Sequence, residues 1–96
     1  MKSLIIIALA LNLYAGWGYE GYAKNSLRDR LKDAESAKFK ELDMFNGRII
    51  CGKVNAKNSY GGYSGYQMFI GNGTIGFLES DMKYSEWVKV WNQTCK

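Results

Sequence analysis

The stretch Phe39–Val54 reads F-K-E-L-D-M-F-N-G-R-I-I-C-G-K-V, and its reading decides the fold. Two runs in which apolar residues recur flank Asn46-Gly47. That dipeptide is the strongest short hairpin signal, because a type I′ turn needs positive φ at both central residues. A two-residue turn sets Met44 opposite Ile49 and Leu42 opposite Cys51 on one face, and Asp43 opposite Ile50 and Phe45 opposite Arg48 on the other. The first face is apolar and is expected to point to the core, with Cys51 buried. Continuing the register brings Lys40 against Lys53, an unfavourable pair that a bulge at Gly52 would relieve.

A second hairpin is predicted over Tyr66–Leu78, with Asn72-Gly73 as its turn. The same arithmetic pairs Met68 with Phe77 and Ile70 with Ile75, and places Phe69, Gly76, Gln67 and Leu78 on the reverse. The chain ends in a segment where Tyr84, Trp87, Val88, Trp91 and Cys95 recur at helical spacing, with Ser80, Asp81 or Ser85 available as caps. Ahead of the first hairpin, Ser26-x-x-Asp29 is close to a capping box, and Leu27, Leu31 and Ala34 follow at i, i+4 and i+7. An amphipathic helix ending near Ala37 is expected there. Gly16–Ala23 shows no usable period and reads as a flexible lead-in.

Met1–Ala15 (M-K-S-L-I-I-I-A-L-A-L-N-L-Y-A) has a basic n-region at Lys2, an apolar run over Leu4–Leu11 and a small residue at Ala15. This is the pattern of a secretory signal peptide, and the run is shorter than the roughly 20 apolar residues of a membrane span. Cleavage after Ala15, Gly18 or Ala23 fits, as does retention as an anchor. The expected organisation is a signal over 1–15, a lead-in over 16–23 and a single α+β domain over 24–96. That domain has an N-terminal helix, an antiparallel sheet of about four strands in two hairpins and a C-terminal helix.

In an exported chain an even cysteine count reads as disulfide-bonded, and Cys51 and Cys95 permit one pairing. The absence of histidine removes the commonest general base and transition-metal ligand, so no metal or cofactor is expected. The net charge of +4 is spread over isolated basic residues, which falls short of a nucleic-acid footprint. Asp43, Glu79, Asp81 and Glu86 are the acids from which a catalytic pair would be drawn, but no spacing singles one out, so the chain is read as non-enzymatic.

Between the hairpins lies Val54–Tyr66, V-N-A-K-N-S-Y-G-G-Y-S-G-Y. Tyrosine offers large amphipathic contact area at low entropic cost. Asn55, Lys57 and Asn58 add hydrogen-bonding groups, and Gly61, Gly62 and Gly65 free the backbone for positive φ. The candidate contact set is Asn55, Lys57, Asn58, Tyr60, Gly61, Gly62, Tyr63 and Tyr66. The alternative is that the tyrosines cover the sheet and the amides satisfy backbone groups.

K-D-x-x-S-A-K-F over Lys32–Phe39, followed by C-G-K-V-N-A-K-N-S-Y-G-G-Y-S-G-Y over Cys51–Tyr66, resembles a family of small exported proteins of bacteria and their phages. That family carries a pattern like D-P-x-S-A-x-F, then C-x-x-V-N-A-K-N-x-x-G-G-Y-x-G, and a late cysteine. The likeness runs from about Leu27 to Cys95. It departs at Ala34, where the family usually has proline, a residue that suits a helix start or a break. The resemblance implies export, a compact disulfide-linked domain and a bacterial or phage source, and it implies no activity. The expected function is a monomeric periplasmic or secreted binding protein that contacts an envelope protein through the Val54–Tyr66 loop. The second reading is an envelope polysaccharide binder that stacks sugars on Tyr60, Tyr63 and Tyr66.

Overall fold

The computed structural model describes residues 18–96. The expected signal segment, and Gly16 and Trp17 of the lead-in, lie outside the described residues. The rest is an α+β fold: a helix α1 over 18–27, strands β1 (Lys38–Phe45), β2 (Ile49–Asn55), β3 (Gln67–Gly71) and β4 (Gly76–Leu78), and a helix α2 (Tyr84–Thr94). The strands form one antiparallel sheet in the order β1-β2-β3-β4. Short 3-10 helices over Ala34–Ser36 and Glu79–Asp81 precede β1 and follow β4.

The sheet is covered on both faces. Successive strand residues point to opposite sides, so neighbours in β2 and β3 serve two cores. Ile50, Val54, Phe69 and Leu78 pack with Ala23 and Leu27 of α1. Cys51 and Ile70 pack with Trp87 and Cys95, which belong to or follow α2. The Cys51–Cys95 disulfide spans 6.1 Å between Cα atoms and ties the end of α2 to the central strand. Closing a 44-residue separation stabilises the fold by roughly 3–4 kcal/mol in the chain-entropy picture.

The first helix lies earlier than the sequence pattern suggests. Residues 18–23 are helical rather than a flexible lead-in, and Ala23 is fully buried. Tyr19, Tyr22, Ala23, Ser26 and Leu27 share one helical stripe, and Gly18 and Gly21 point to open space. Ser26 is therefore not an N-cap but a buried residue of the last turn. Its Oγ donates to the Tyr22 carbonyl (2.9 Å) and accepts from the Gly73 N–H (2.8 Å), which pins α1 to the β3–β4 connection. Gly71 must lack a side chain, since a Cβ there would collide with Ser26. After Leu27 the chain turns. Leu31 and Ala37 still pack on the core, but through a bend and the 3-10 helix that begins at Ala34, not through a continuous helix.

The first hairpin forms with a shifted register. Asn46 and Gly47 both have positive φ (54° and 67°), and the Arg48 N–H donates to the Phe45 carbonyl at 3.1 Å, as the turn chemistry requires. Yet Phe45 pairs with Ile49, Met44 with Ile50 and Asp43 with Cys51. The Tyr22 hydroxyl lies 2.5 Å from the Arg48 carbonyl and 2.6 Å from the Asn72 carbonyl, so its single proton serves one of them at a time. A bulge on β1 at Glu41-Leu42, opposite Gly52, then restores the expected Lys40–Lys53 pair. Glu41 takes a positive φ (56°), and a Cβ at Gly52 would meet Leu42 and two β1 carbonyls. Because a slip of one residue exchanges faces, Ile50 lies in the α1 core instead of on a reverse side.

The second hairpin slips by two, which keeps the faces. Gly71 pairs with Gly76, Ile70 with Phe77 and Phe69 with Leu78. The Asn72 N–H donates to the Ile75 carbonyl, and Asn72 Oδ1 accepts from the N–H groups of Thr74 and Ile75. Ile75, expected opposite Ile70, lies exposed in this turn. In α2 the stripe holds at Trp87, Trp91 and Cys95, but Val90 packs on the core where Val88 was expected, and Tyr84 is exposed. Lys83 takes the N-cap position with no side-chain cap bond. Asp81 instead accepts from the Leu78 N–H and pairs with Arg30, joining the turn after α1 to the start of the last segment. Trp87 Nε1 is the one buried side-chain polar atom among the described residues without a partner.

Candidate functional site

The Val54–Tyr66 loop begins where β2 ends. At its base, Asn55 Oδ1 accepts from the Gly65 N–H (3.1 Å), which ties the two ends together. One step further out, Lys57 and Tyr63 form an isolated antiparallel bridge. The outer side of this stem docks on the 3-10 helix before β1. Ser36 Oγ accepts from the Lys57 N–H (2.9 Å) and donates to the Asp33 carbonyl (2.7 Å), and the Tyr63 hydroxyl donates to the Ser36 carbonyl (2.9 Å).

At the apex, the Asn58 N–H donates to the Gly62 carbonyl (2.9 Å) and the Gly61 N–H donates to the Asn58 carbonyl (3.0 Å). Asn58 Oδ1 accepts from the N–H groups of Tyr60 (2.9 Å) and Gly62 (3.2 Å), an Asx-type closure. Gly61 and Gly65 have φ of +82° and +103°, where an L side chain is strained. Gly62 has no such requirement and faces open space, so it does not share the role expected of the other two. Asn55 and Asn58 spend their carbonyl oxygens on the loop itself and act as its framework.

The three tyrosines separate into two kinds. Tyr63 and Tyr66 are each 41% exposed, and each has a lysine ammonium over its ring. Lys38 Nζ lies 4.5 Å from the Tyr63 centroid and Lys40 Nζ 4.1 Å from that of Tyr66, with Lys57 Nζ at 6.0 Å from Tyr63. Such contacts stabilise by about 0.5–1 kcal/mol each at exposed sites. Tyr60 is 97% exposed and stands alone at the apex. The sequence reading missed Ser36, Lys38 and Lys40. Lys38 and Lys40 share a face through their i, i+2 spacing on a strand, but only the folded loop shows what they meet.

Two of the four acids singled out in the sequence, Glu79 and Asp81, are occupied elsewhere. Glu79 Oε1 accepts from the Met68 N–H (3.0 Å), and Asp81 serves Leu78 and Arg30. Hydrogen bonds from Arg28 and then Lys24 hold the Glu35 carboxyl below its ordinary pKa, and Lys53 does the same for Glu41. Among the described residues no group of three or more Cys, Asp or Glu side chains is placed to hold a metal ion. No helix among them is long and apolar enough to cross a membrane, and the disulfide is compatible with a periplasmic or extracellular setting. Set against protein-family models, curated proteins and solved structures, the chain matches none.

Proposed function

We propose that this chain is a small exported, non-enzymatic interaction protein of the bacterial envelope, of bacterial or phage origin, that engages a protein partner through the apex of the Val54–Tyr66 loop. One observation carries the reading: Tyr60 is 97% exposed on a turn closed by Asn58, while the loop's other tyrosines are engaged with the domain. A large aromatic presented on an ordered turn loses little freedom on binding, and tyrosine is enriched among residues that dominate interface energies. The polysaccharide reading needs several stacking faces in a row. Lysine ammoniums lie over Tyr63 and Tyr66, which leaves Tyr60 as the one unobstructed ring of the three.

The test places a photocrosslinking residue at position 60 of the oxidised mature protein in periplasmic extract. A second sample carries it at position 84, because Tyr84 is also well exposed but lies on α2. A discrete protein adduct is expected from position 60 and not from position 84. Equal labelling at both positions, or retention on isolated peptidoglycan that is lost in a Tyr60→Ala/Tyr63→Ala variant, would overturn the protein-partner reading.

A further inference from the structure

At the stem of the loop the fold gathers three lysines that no ion pair among the described residues uses. Lys38 and Lys40 sit at alternate positions of β1 and so share a face, and Lys57 reaches the same corner from the loop stem. Their ammoniums gather over the rings of Tyr63 and Tyr66. The ion pairs among the described residues use Lys24, Arg28, Arg30 and Lys53, and none uses these three lysines. Three acids of this region already have partners. Glu41 is bound to Lys53 at 2.9 Å, Glu35 to Lys24 and Arg28, and Asp33 Oδ1 caps the 3-10 helix through the Ser36 N–H.

Grouped like charges repel, and a lysine left to itself samples many rotamers. Stacking on two tyrosines restrains both effects: it fixes the stems and sets the ring faces against the charge. The result is a preorganised cationic rim on the stem of a loop whose apex carries an exposed aromatic. A buried aromatic anchor with charged residues at its margin is the ordinary anatomy of a specific protein interface. Charges at such a margin speed encounter and select the partner's sign.

Resting on the reading of Tyr60 as a contact residue, we propose that the partner presents an acidic protein surface, whose carboxylates meet Lys38, Lys40 and Lys57 while Tyr60 enters a pocket beside them. A protein surface is favoured over a phosphate polymer or an anionic bilayer because the protruding ring needs a shaped receptor, which neither of those provides. The competing explanation is that lysines on the edge strand β1 merely deter strand pairing.

The experiment titrates the 15N-labelled, oxidised mature protein with a short oligoglutamate, and in separate arms with inorganic polyphosphate and phosphatidylglycerol vesicles. Oligoglutamate is expected to shift the amides of residues 38–40, 57 and 63–66. Binding should weaken about tenfold in Lys38→Gln/Lys40→Gln and fall with added salt. Should that double variant fail to fold, Lys57→Gln, outside the strands, is expected to weaken binding in the same direction. Shifts elsewhere, no shifts, indifference to these substitutions, or binding only to polyphosphate or vesicles would overturn the proposal. Oligoglutamate binding does not involve Tyr60. A protein that binds it but gives no adduct from position 60 keeps the cation site and loses the interaction-protein reading, and the reverse result loses only the acidic partner.

Discussion

The stem and the apex of the Val54–Tyr66 loop are built from the same residue types and do opposite things. In the stem, Asn55, the Lys57 backbone N–H, Tyr63 and Tyr66 are spent on the domain through Gly65, Ser36, Lys38 and Lys40. At the apex, Asn58 closes a turn whose one large side chain, Tyr60, touches nothing in the fold. A tyrosine- and glycine-rich composition therefore says little about function. What separates a structural tyrosine from a presented one is whether a neighbouring element lies within reach of its ring and hydroxyl.

The largest expected effect comes from breaking the fold away from the loop. Replacing Cys51 and Cys95 by alanine should cost roughly 3–4 kcal/mol in urea unfolding. If the stem and apex are locally determined, the amide shifts of Asn58–Gly62 should survive in whatever fraction remains folded. Their loss before global unfolding would show that the loop depends on the bridge. Ser36→Ala cuts nearer. It removes the acceptor of the Lys57 N–H and should cost about 1–2 kcal/mol, with Tyr63 and Lys57 shifting together.

Asn58→Ala tests the apex directly. It should cost about 1 kcal/mol or less, because the freed N–H groups of Tyr60 and Gly62 can reach water, but it should raise the amplitude of Tyr60 motion in 15N relaxation. Smaller still is the acid response of the ion pairs around the stem. The carboxyls of Glu35 and Glu41 have folded pKa values below their unfolded ones, so their contribution is present above the ordinary glutamate range of about 4.3. It is lost as pH falls through the lowered values. Both groups are exposed, so the melting temperatures of wild type and Glu35→Gln/Glu41→Gln should differ slightly near neutrality, converge in acid and converge also in high salt.

Much of the architecture was legible, and the misreadings have physical causes. Both Asn-Gly pairs do mark turns, but turn chemistry fixes where a chain reverses and not which residues close the ladder. Arg48 makes the turn bond to Phe45 yet yields the pairing position to Ile49, and Asn72 recruits Thr74 and Ile75 into a wider turn. Parity decided which residues share a side: a one-residue slip moved Ile50 to the α1 side, whereas a two-residue slip kept Phe69 and Leu78 together on the side expected to be the reverse, which α1 covers while Phe77 is left exposed. The early helix was obscured by its glycines, although Tyr19, Tyr22, Ala23, Ser26 and Leu27 carry the helical spacing. Leu27 and Leu31 were correctly read as inward, but a bend brings Leu31 to the core. The division of the loop was not legible, because Lys38 and Lys40 lie far from Tyr63 and Tyr66 in sequence and meet them only across the folded sheet edge.

The division of labour within the loop is tested most directly by partner capture from periplasmic extract with Tyr60→Ala. Its stability should stay within about 0.5 kcal/mol of wild type, since the side chain contacts nothing in the fold. Capture of the protein crosslinked from position 60 should be lost in that variant. A Tyr60→Ala protein that is equally stable and captures the same protein as wild type does would contradict the assignment of the apex as the contact surface.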